Sequence, residues 1–524
     1  MQMTVRREFQ PLMTFGLGYV LAVAAALATA GYALFIWADR QLQTGLGVTG
    51  MNQPTYWGAY IVNFVFFVGL SAGGIVVSSL VHALRMERYR AVARIAEVIA
   101  IACILMAGLF ISLDVGRPDR LWHLVAYGRW QSPLIWDVLI INAYLLMALA
   151  LGYFSTRADI VKCMRAIPAR AGLYRLLALG YLDDSQEAIR RDQAILRVLA
   201  FASIPTAVLL HSVTAWIMGL TKATPGWHTA LLAPVFVGSA LASGVALVTF
   251  ASFVSQRLFR AQIDDETIIA LGRLILLAIP LLGYFLFSEL LTVVYAREAS
   301  RSAFFRELIE GDYALFFWFD LLVGLIAPLL MLAAIFWFPR RAEAPALVAP
   351  PRVAQARAVT LTLAAAAVAL VGLSFMVDRP ATGLGVETAG FSLSGTPLAI
   401  ALNVLAAAML VSLGLRLSAT GGVALASLLV VAGVLAERVN IVLAPQLTRF
   451  SSHPDELFVF PYTVAGYRPT WEEMSIIVGV YSLGILGFLV FTKVFPLTEL
   501  PEEVAPEPRR WPGFQEEPEV DATM

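Results

Sequence analysis

The chain has 524 residues, 59% of them apolar and 14% charged, with 37 basic and 37 acidic side chains and a mean hydropathy of +0.77. Soluble domains carry about 25% charge, so this composition excludes a soluble globular protein, and the balanced charge offers no basic surface for nucleic acid. Two cysteines, Cys103 and Cys163, exclude a disulfide framework and any cysteine-ligated zinc or iron–sulfur cluster.

Apolar runs of about 20 residues, the length that crosses the hydrocarbon, recur along the chain. They occupy 12–37, 57–84, 93–113, 133–156, 194–219, 229–255, 268–295, 314–338, 357–377, 397–416, 421–443 and 474–496. They predict an all-α polytopic membrane protein of about twelve helices, because such uniformly apolar runs do not suit barrel strands. Short or Gly-rich turns between 357 and 443 leave ten as the lower bound. The first run follows Arg6 and Arg7 and is too long for a signal-peptide core, so it reads as a retained helix.

The pattern divides into an N-terminal span with its loop (1–56), a first four-helix bundle (57–219) and most of a second (220–338). A Pro/Ala-rich linker (339–356), the C-terminal spans (357–496) and an acidic, Pro-rich tail (497–524) follow. The tail lacks the apolar content to build a core and is expected to be disordered. Within the first bundle, 157–193 is a polar insert with seven basic residues, expected as one or two surface helices.

Basic residues at 6–7, 85–94, 157–193, 257–260 and 340–357 fall on one side, and the opposite loops carry about half as many. That asymmetry places both termini in the cytoplasm. It puts loops 38–56, 114–132, 220–228, 296–313, 378–396 and 444–473 outside.

A repeat is visible: "FVGLSAGGIVV" (67–77) resembles "FVGSALASGVALV" (236–248), and "IWDVLI" (135–140) resembles "WFDLLV" (318–323). An offset of four spans is even, so two bundles, spans 2–5 and 6–9, would share one orientation. Asp114 and Glu289 then occupy matching places, as do Asp137 and Asp320.

Ionisable groups inside a membrane cost several kcal/mol, about 2.5–3.5 on insertion scales, and are functional candidates by default. Asp114 ends span 3, Asp137 lies a turn into span 4, and Glu289 and Asp320 lie in spans 7 and 8. With His211 in span 5, they converge on the outer leaflet. A lone Asp near a helix start also serves as a cap or dipole partner, and Arg117 also suits a structural pair with Asp114 or Asp119. Glu437 and Arg438 read as an ion pair, while Glu97, Arg197 and Arg273 suit interfacial anchors or inner steps of a proton path. His82 and His211 lie at different depths, so they cannot sandwich one haem iron.

The stretches "TGLGVTGMNQPTYWGAYIVNFVFFVGLSAGG" (44–74), "DVGRPDRLWHL" (114–124), "SPLIWD" (132–137), "PGWHTALLAPVFVGSALASGVAL" (225–247), "ERVNIVL" (437–443) and "YRPTWEEMSIIVGVYSLGILGFLVFTKVFP" (467–496) resemble the NrfD/PsrC family. The likeness is greatest to its long members in alternative complex III and hydrogenase-associated complexes. The resemblance implies a haem-free subunit, without an iron–sulfur cluster of its own, in the bacterial inner membrane. It would bind menaquinone or ubiquinone near the outer face. It would exchange electrons with a periplasmic iron–sulfur subunit, joined in turn to a molybdopterin enzyme or cytochromes. The family's acid or histidine before Gly-Arg-Pro falls on Asp114, and its acid after "SPLxW" falls on Asp137. Members of the alternative complex III type often carry His where this chain has Asp114. On this reading Asp114 and Asp137 accept the quinol protons, and Arg117 and His123 help bind the head. His211, Glu289, Tyr295 and Asp320 would form a proton path through the second bundle. The competing readings are a transporter-like or proton-translocating subunit without a redox site, and a passive membrane anchor.

Overall fold

The computed structural model describes residues 9–51, 55–297, 299–311, 313–337, 350–377, 385–388, 391–394, 396–447 and 467–500. Twelve long helices follow one another along it. They are α1 (Leu17–Ile36), α2 (Ala59–His82), α3 (Arg90–Asp114), α4 (Pro133–Ala166), α5 (Gln186–Gly219), α6 (Leu232–Leu258), α7 (Asp265–Ala296), α8 (Ala314–Trp337), α9 (Pro350–Val377), α10 (Thr396–Arg416), α11 (Ala419–Val442) and α12 (Trp471–Val494). Among the described residues eleven are long and apolar enough to cross a membrane, and α9 carries a shorter apolar stretch, Thr362–Leu373. A small antiparallel hairpin, β1 (Gly385–Thr388) with β2 (Phe391–Ser394), joins α9 to α10.

Local chemistry sets several helix starts. Ser185, Ser418 and Thr470 cap α5, α11 and α12 by accepting the amides of Ala188 (3.3 Å), Gly421 (3.1 Å) and Glu473 (3.3 Å). Pro133 opens α4, where its missing N–H costs nothing.

The core is the crossing of α2 and α6, the two helices that carry the first repeated motif. At Gly73 and Gly244 their backbones meet so closely that a Cβ on either would run into the other helix. Without a hydrophobic drive between helices in lipid, such small-residue contacts supply the packing. The buried hydroxyls of Ser243, Thr249 and Ser252 on α6 return to their own helix, bonding the carbonyls four residues back at 2.7 Å each.

Around this crossing α2–α5 form the first bundle. In the second, α6, α7 and α8 are joined by α11, while α9 packs chiefly on α10. The fourth place expected for span 9 is therefore taken by α11. The contacts repeat helix by helix: α5 lies on both α2 and α6, and α11 lies on both α6 and α2.

α1 and α12 pack together and flank α3. The insert 157–193 consists mainly of extensions of α4 and α5, each 34 residues long. They carry a short helix, Ala171–Leu177, and grip the chain just beyond α12. Arg94 donates to the carbonyls of Pro496 (3.2 Å) and Thr498 (3.1 Å) and pairs with Asp159 at 2.8 Å. Leu500 N donates to the same Asp159 (3.1 Å), and Leu500 packs with Phe9, Leu12, Cys163 and Tyr174. The linker (339–349 of it) and the tail from 501 lie outside the described residues.

Candidate functional site

Asp114 closes α3. Two residues on, Gly116 has φ +69°, a left-handed turn that swings the chain out of the helix, and a Cβ there would meet Leu46 at 2.9 Å. Asp114 Oδ1 is buried and has no hydrogen-bond partner among the described residues. Around it stand side chains brought in from three other segments. Gln41, in a wide π turn (Trp37–Gln41) that continues α1, donates from Nε2 to Leu113 O at 2.8 Å. Its Oε1 accepts the Tyr60 hydroxyl of α2, also at 2.8 Å. Glu473, in the first turn of α12, is fully buried and accepts from Gly50 N (3.2 Å) and from the Tyr467 hydroxyl. That hydroxyl in turn accepts from Ala59 N at 2.7 Å. Glu473 lies within electrostatic reach of both Asp114 and Tyr60.

Sequence reasoning singled out Asp114 and missed Gln41, Tyr60, Tyr467 and Glu473. The one signal for Glu473 is the T-x-x-E spacing from Thr470, which reads first as a capping box.

Asp137 is buried in the second turn of α4, where its Oδ1 accepts the Thr214 hydroxyl of α5 at 2.7 Å. One turn before Thr214 on α5, His211 is buried, and its Nδ1 lies 2.7 Å from Ala207 O. Donation to that carbonyl leaves Nε2 an acceptor, and Nε2 is buried without a partner among the described residues. His211 is close to the α2 backbone at Val68–Gly69 and in electrostatic reach of Arg438.

Arg438 of α11 is wholly buried. Its Nη2 donates to Ser239 of α6, its guanidinium lies 4.4 Å from the Phe236 ring centroid, and Nη1 is 3.6 Å from Glu437. Asp320, at the start of a second π turn (Asp320–Ile326) in α8, interacts electrostatically with both Glu437 and Arg438. There Gly324 and Gly433 bring α8 and α11 together, and a Cβ on Gly433 would lie 3.2 Å from Asp320 Oδ1. In each bundle a buried aspartate faces the fourth helix, with a different partner there. Asp137 of α4 faces Thr214 of α5, and Asp320 of α8 faces Glu437 of α11. Both carboxylate oxygens of Glu437, Arg438 Nε and Nη1, and Asn440 Oδ1 are buried without hydrogen-bond partners among the described residues. Buried polar atoms on this scale call for water or a mobile proton between them.

Other expected residues sit elsewhere. Arg117 does not hold Asp114: it pairs with exposed Asp119 at 3.1 and 3.2 Å, keeping that carboxyl below its usual range. Asp119, two residues along an exposed turn, is the cheaper partner because neither charge leaves water. His123 is exposed, edge-on to Trp122 (4.1 Å) and Tyr127 (5.3 Å). Glu289 accepts from Thr229 at 2.9 Å and pairs with Arg301 of a short helix, Ala299–Glu310. Tyr295, at the end of α7, is 87% exposed. At the opposite end of the bundle, buried Glu97 accepts from Ser78 (2.8 Å) and Ser155 and pairs with His82 at 3.0 Å.

Comparison with known proteins gives this geometry a context. The chain is 36% identical over 322 residues to a putative dimethyl sulfoxide reductase membrane subunit of Halobacterium salinarum, covering 61% of this chain and 70% of that protein. It is 29% identical over 300 residues to a subunit of the selenate reductase of Mesobacillus selenatarsenatis, covering 56% and 70%. It is 24% identical over 325 residues to an Hdr-like menaquinol oxidoreductase integral membrane subunit of Archaeoglobus fulgidus, covering 62% and 72%. The model of the polysulphide reductase NrfD family matches residues 47–349, which include α2–α8 with Asp114, Asp137, His211 and Asp320. With more than half its length in that match, the chain belongs to the polysulphide reductase NrfD family.

Proposed function

We propose that the chain is the quinone-interacting membrane subunit of a respiratory oxidoreductase, exchanging electrons between the quinone pool and an iron–sulfur subunit. That partner docks at the Asp114 end, on the periplasmic side, and leads to a molybdopterin enzyme or cytochromes. The observation that carries the reading is the buried, unpartnered Oδ1 of Asp114 at the end of α3, with buried Asp137 at the same end of the neighbouring α4. A quinol gives up two protons with its two electrons, and a carboxylate with a free acceptor oxygen takes one such hydroxyl proton. Asp137, steadied by Thr214, takes the other. Relatives named as menaquinol oxidoreductase and menaquinone reductase membrane subunits support the choice of menaquinone as the substrate. Arg117 and Asp119, paired and exposed, belong to the docking rim and not to the quinone head.

A proton route across the second bundle is the natural extension, favoured by the unpartnered atoms of Glu437 and Arg438, which face Asp320, and of His211, within electrostatic reach of Arg438. The transporter-like and passive-anchor readings leave the unpartnered Asp114 oxygen without a use.

The decisive experiment is Asp114→Asn in the assembled complex, which keeps the shape and removes the base. Quinol-dependent reduction of the partner's iron–sulfur clusters, normalised to assembled complex, should fall by about 10²–10⁴. The double variant with Asp137→Asn should be no worse than the more severe single one, since the two act as a unit. Near-normal reduction by an assembled Asp114→Asn complex would overturn the proposal.

A further inference from the structure

We propose that Glu473 of α12 is the proton partner of Asp114, taking up the proton that Asp114 accepts from the quinol; the inference rests on the quinone reading of Asp114 given above. Three observations support it.

The first is burial. Glu473 occupies the first turn of α12, where a carboxylate answers the helix dipole from the surface. Here it is fully buried, while its neighbour Trp471 is exposed. Burying a carboxylate is costly unless it is well hydrogen-bonded, so its position calls for more than a dipole partner.

The second is how it is held. Gly50 N and the Tyr467 hydroxyl fix the two carboxylate oxygens, and Ala59 N fixes that hydroxyl. The 44–74 region and the approach to α12 are far apart in sequence, yet together they hold one acid in place.

The third is what it faces. Asp114 and Tyr60 both lie within its electrostatic reach, and Asp114 Oδ1 has no hydrogen-bond partner among the described residues. Gln41 holds Tyr60 and the Leu113 carbonyl in one frame, so the phenol and the end of α3 keep a fixed relation. The titratable groups facing Glu473 are Tyr467 on its own approach, Tyr60 on α2 and Asp114 on α3; the α1 side contributes neutral Gln41 and the Gly50 backbone.

Two carboxylates within electrostatic reach of one another titrate as a pair, and a proton passes from one to the other directly or through a bridging water. The step balances. The quinol O–H bond breaks and its proton goes to the Asp114 carboxylate, while the electrons leave singly to the iron–sulfur clusters of the partner. The O–H bond at Asp114 then breaks and one forms at Glu473, which restores the base at the quinone head. Quinone reduction runs the same sequence backwards. Glu473 acts through Asp114 and does not itself touch the substrate. It also lies beyond the matched 47–349 region, so this role extends the site into the C-terminal helices.

The test uses the intact complex carrying Glu473→Gln, assayed with a short-chain naphthoquinol. kcat should fall by about 10²-fold, the lower end of general-base effects, with KM unchanged. The acid limb of the kcat profile should lose one ionisation, and Glu473→Asp should restore part of both. Normal kcat with an unchanged profile, while Asp114→Asn still collapses, would overturn this role and leave the quinone reading standing. Normal turnover in Asp114→Asn would remove the reading and the inference together. If Glu473→Gln does not assemble, Tyr467→Phe removes the hydroxyl that donates to Glu473 and accepts from Ala59 N, and keeps the carboxylate. A shifted acid limb in that variant supports the role, and an unshifted one overturns it.

Discussion

Arg438 is the charge with the most to lose at the scale of single residues. It is wholly buried, and it is the cation that Glu437 and Asp320 both face. Removing one partner of a buried ion pair costs about 3–5 kcal/mol because the other charge is stranded. Arg438→Gln should therefore lower the melting temperature and yield of the detergent-solubilised subunit sharply. Adding Glu437→Gln should recover part of that loss; no recovery would show that the two do not share one electrostatic site. The sequence makes Asp114, Asp137, His211 and Asp320 visible, because an ionisable side chain in an apolar run has few cheap explanations. Glu473, Tyr60 and Gln41 were hidden for the opposite reason. Each looks ordinary in its own segment, and only the packing of α12 and α1 beside α3 brings them to Asp114. The partner of Arg117 was also beyond reach of the sequence, since Asp114 and Asp119 are both within a few residues of it.

At the scale of elements, the α2–α6 crossing depends on two positions that tolerate no side chain. Gly73→Leu or Gly244→Leu should abolish stable insertion of the bundle pair. Gly108→Leu, at a position where a Cβ meets nothing within 4 Å, should be accepted. Comparing membrane-extracted yields and thermal unfolding of the three variants checks this, and equal behaviour would refute the crossing. The repeat was legible in the matching motifs of α2 with α6 and α4 with α8. Its last member was not. α11 comes after α9, α10 and a hairpin, and it carries Glu437 and Arg438 where α5 carries His211 and Thr214. No local similarity links those two helices; their equivalence lies in which neighbours they touch.

At the scale of the whole molecule, the basic-residue asymmetry makes a topological prediction that the fold does not replace. A cysteine introduced at Arg129, exposed in the loop after Asp114, should react with an impermeant reagent from outside, and one at Arg341 should not. The reverse labelling would turn the Asp114 end towards the cytoplasm and exclude a periplasmic partner. The clamp on the C-terminal segment makes another. Arg94→Ala removes the donor to Pro496 and Thr498 and the partner of Asp159. The segment after α12 should then become accessible to protease in inside-out vesicles while α2–α8 stay protected.

That same closure of the chain sets an order of events during synthesis. α1 leaves the ribosome before the other eleven helices, and little of it is buried; the helix it packs on most is α12, made after them. The Tyr19 hydroxyl bonds the Leu489 carbonyl at 3.1 Å, and Lys493 bonds the Thr14 carbonyl at 2.8 Å, so α12 is tied directly to α1 and the segment just before it. Until translation has passed Leu500, α1 must wait in lipid without that partner. Through the same delay Glu473 is absent from the end of α3. A nascent chain therefore carries both bundles, with Asp114 and Asp137 in place, for the whole interval before α12 arrives, and the Asp114 cluster is completed only once α12 is made.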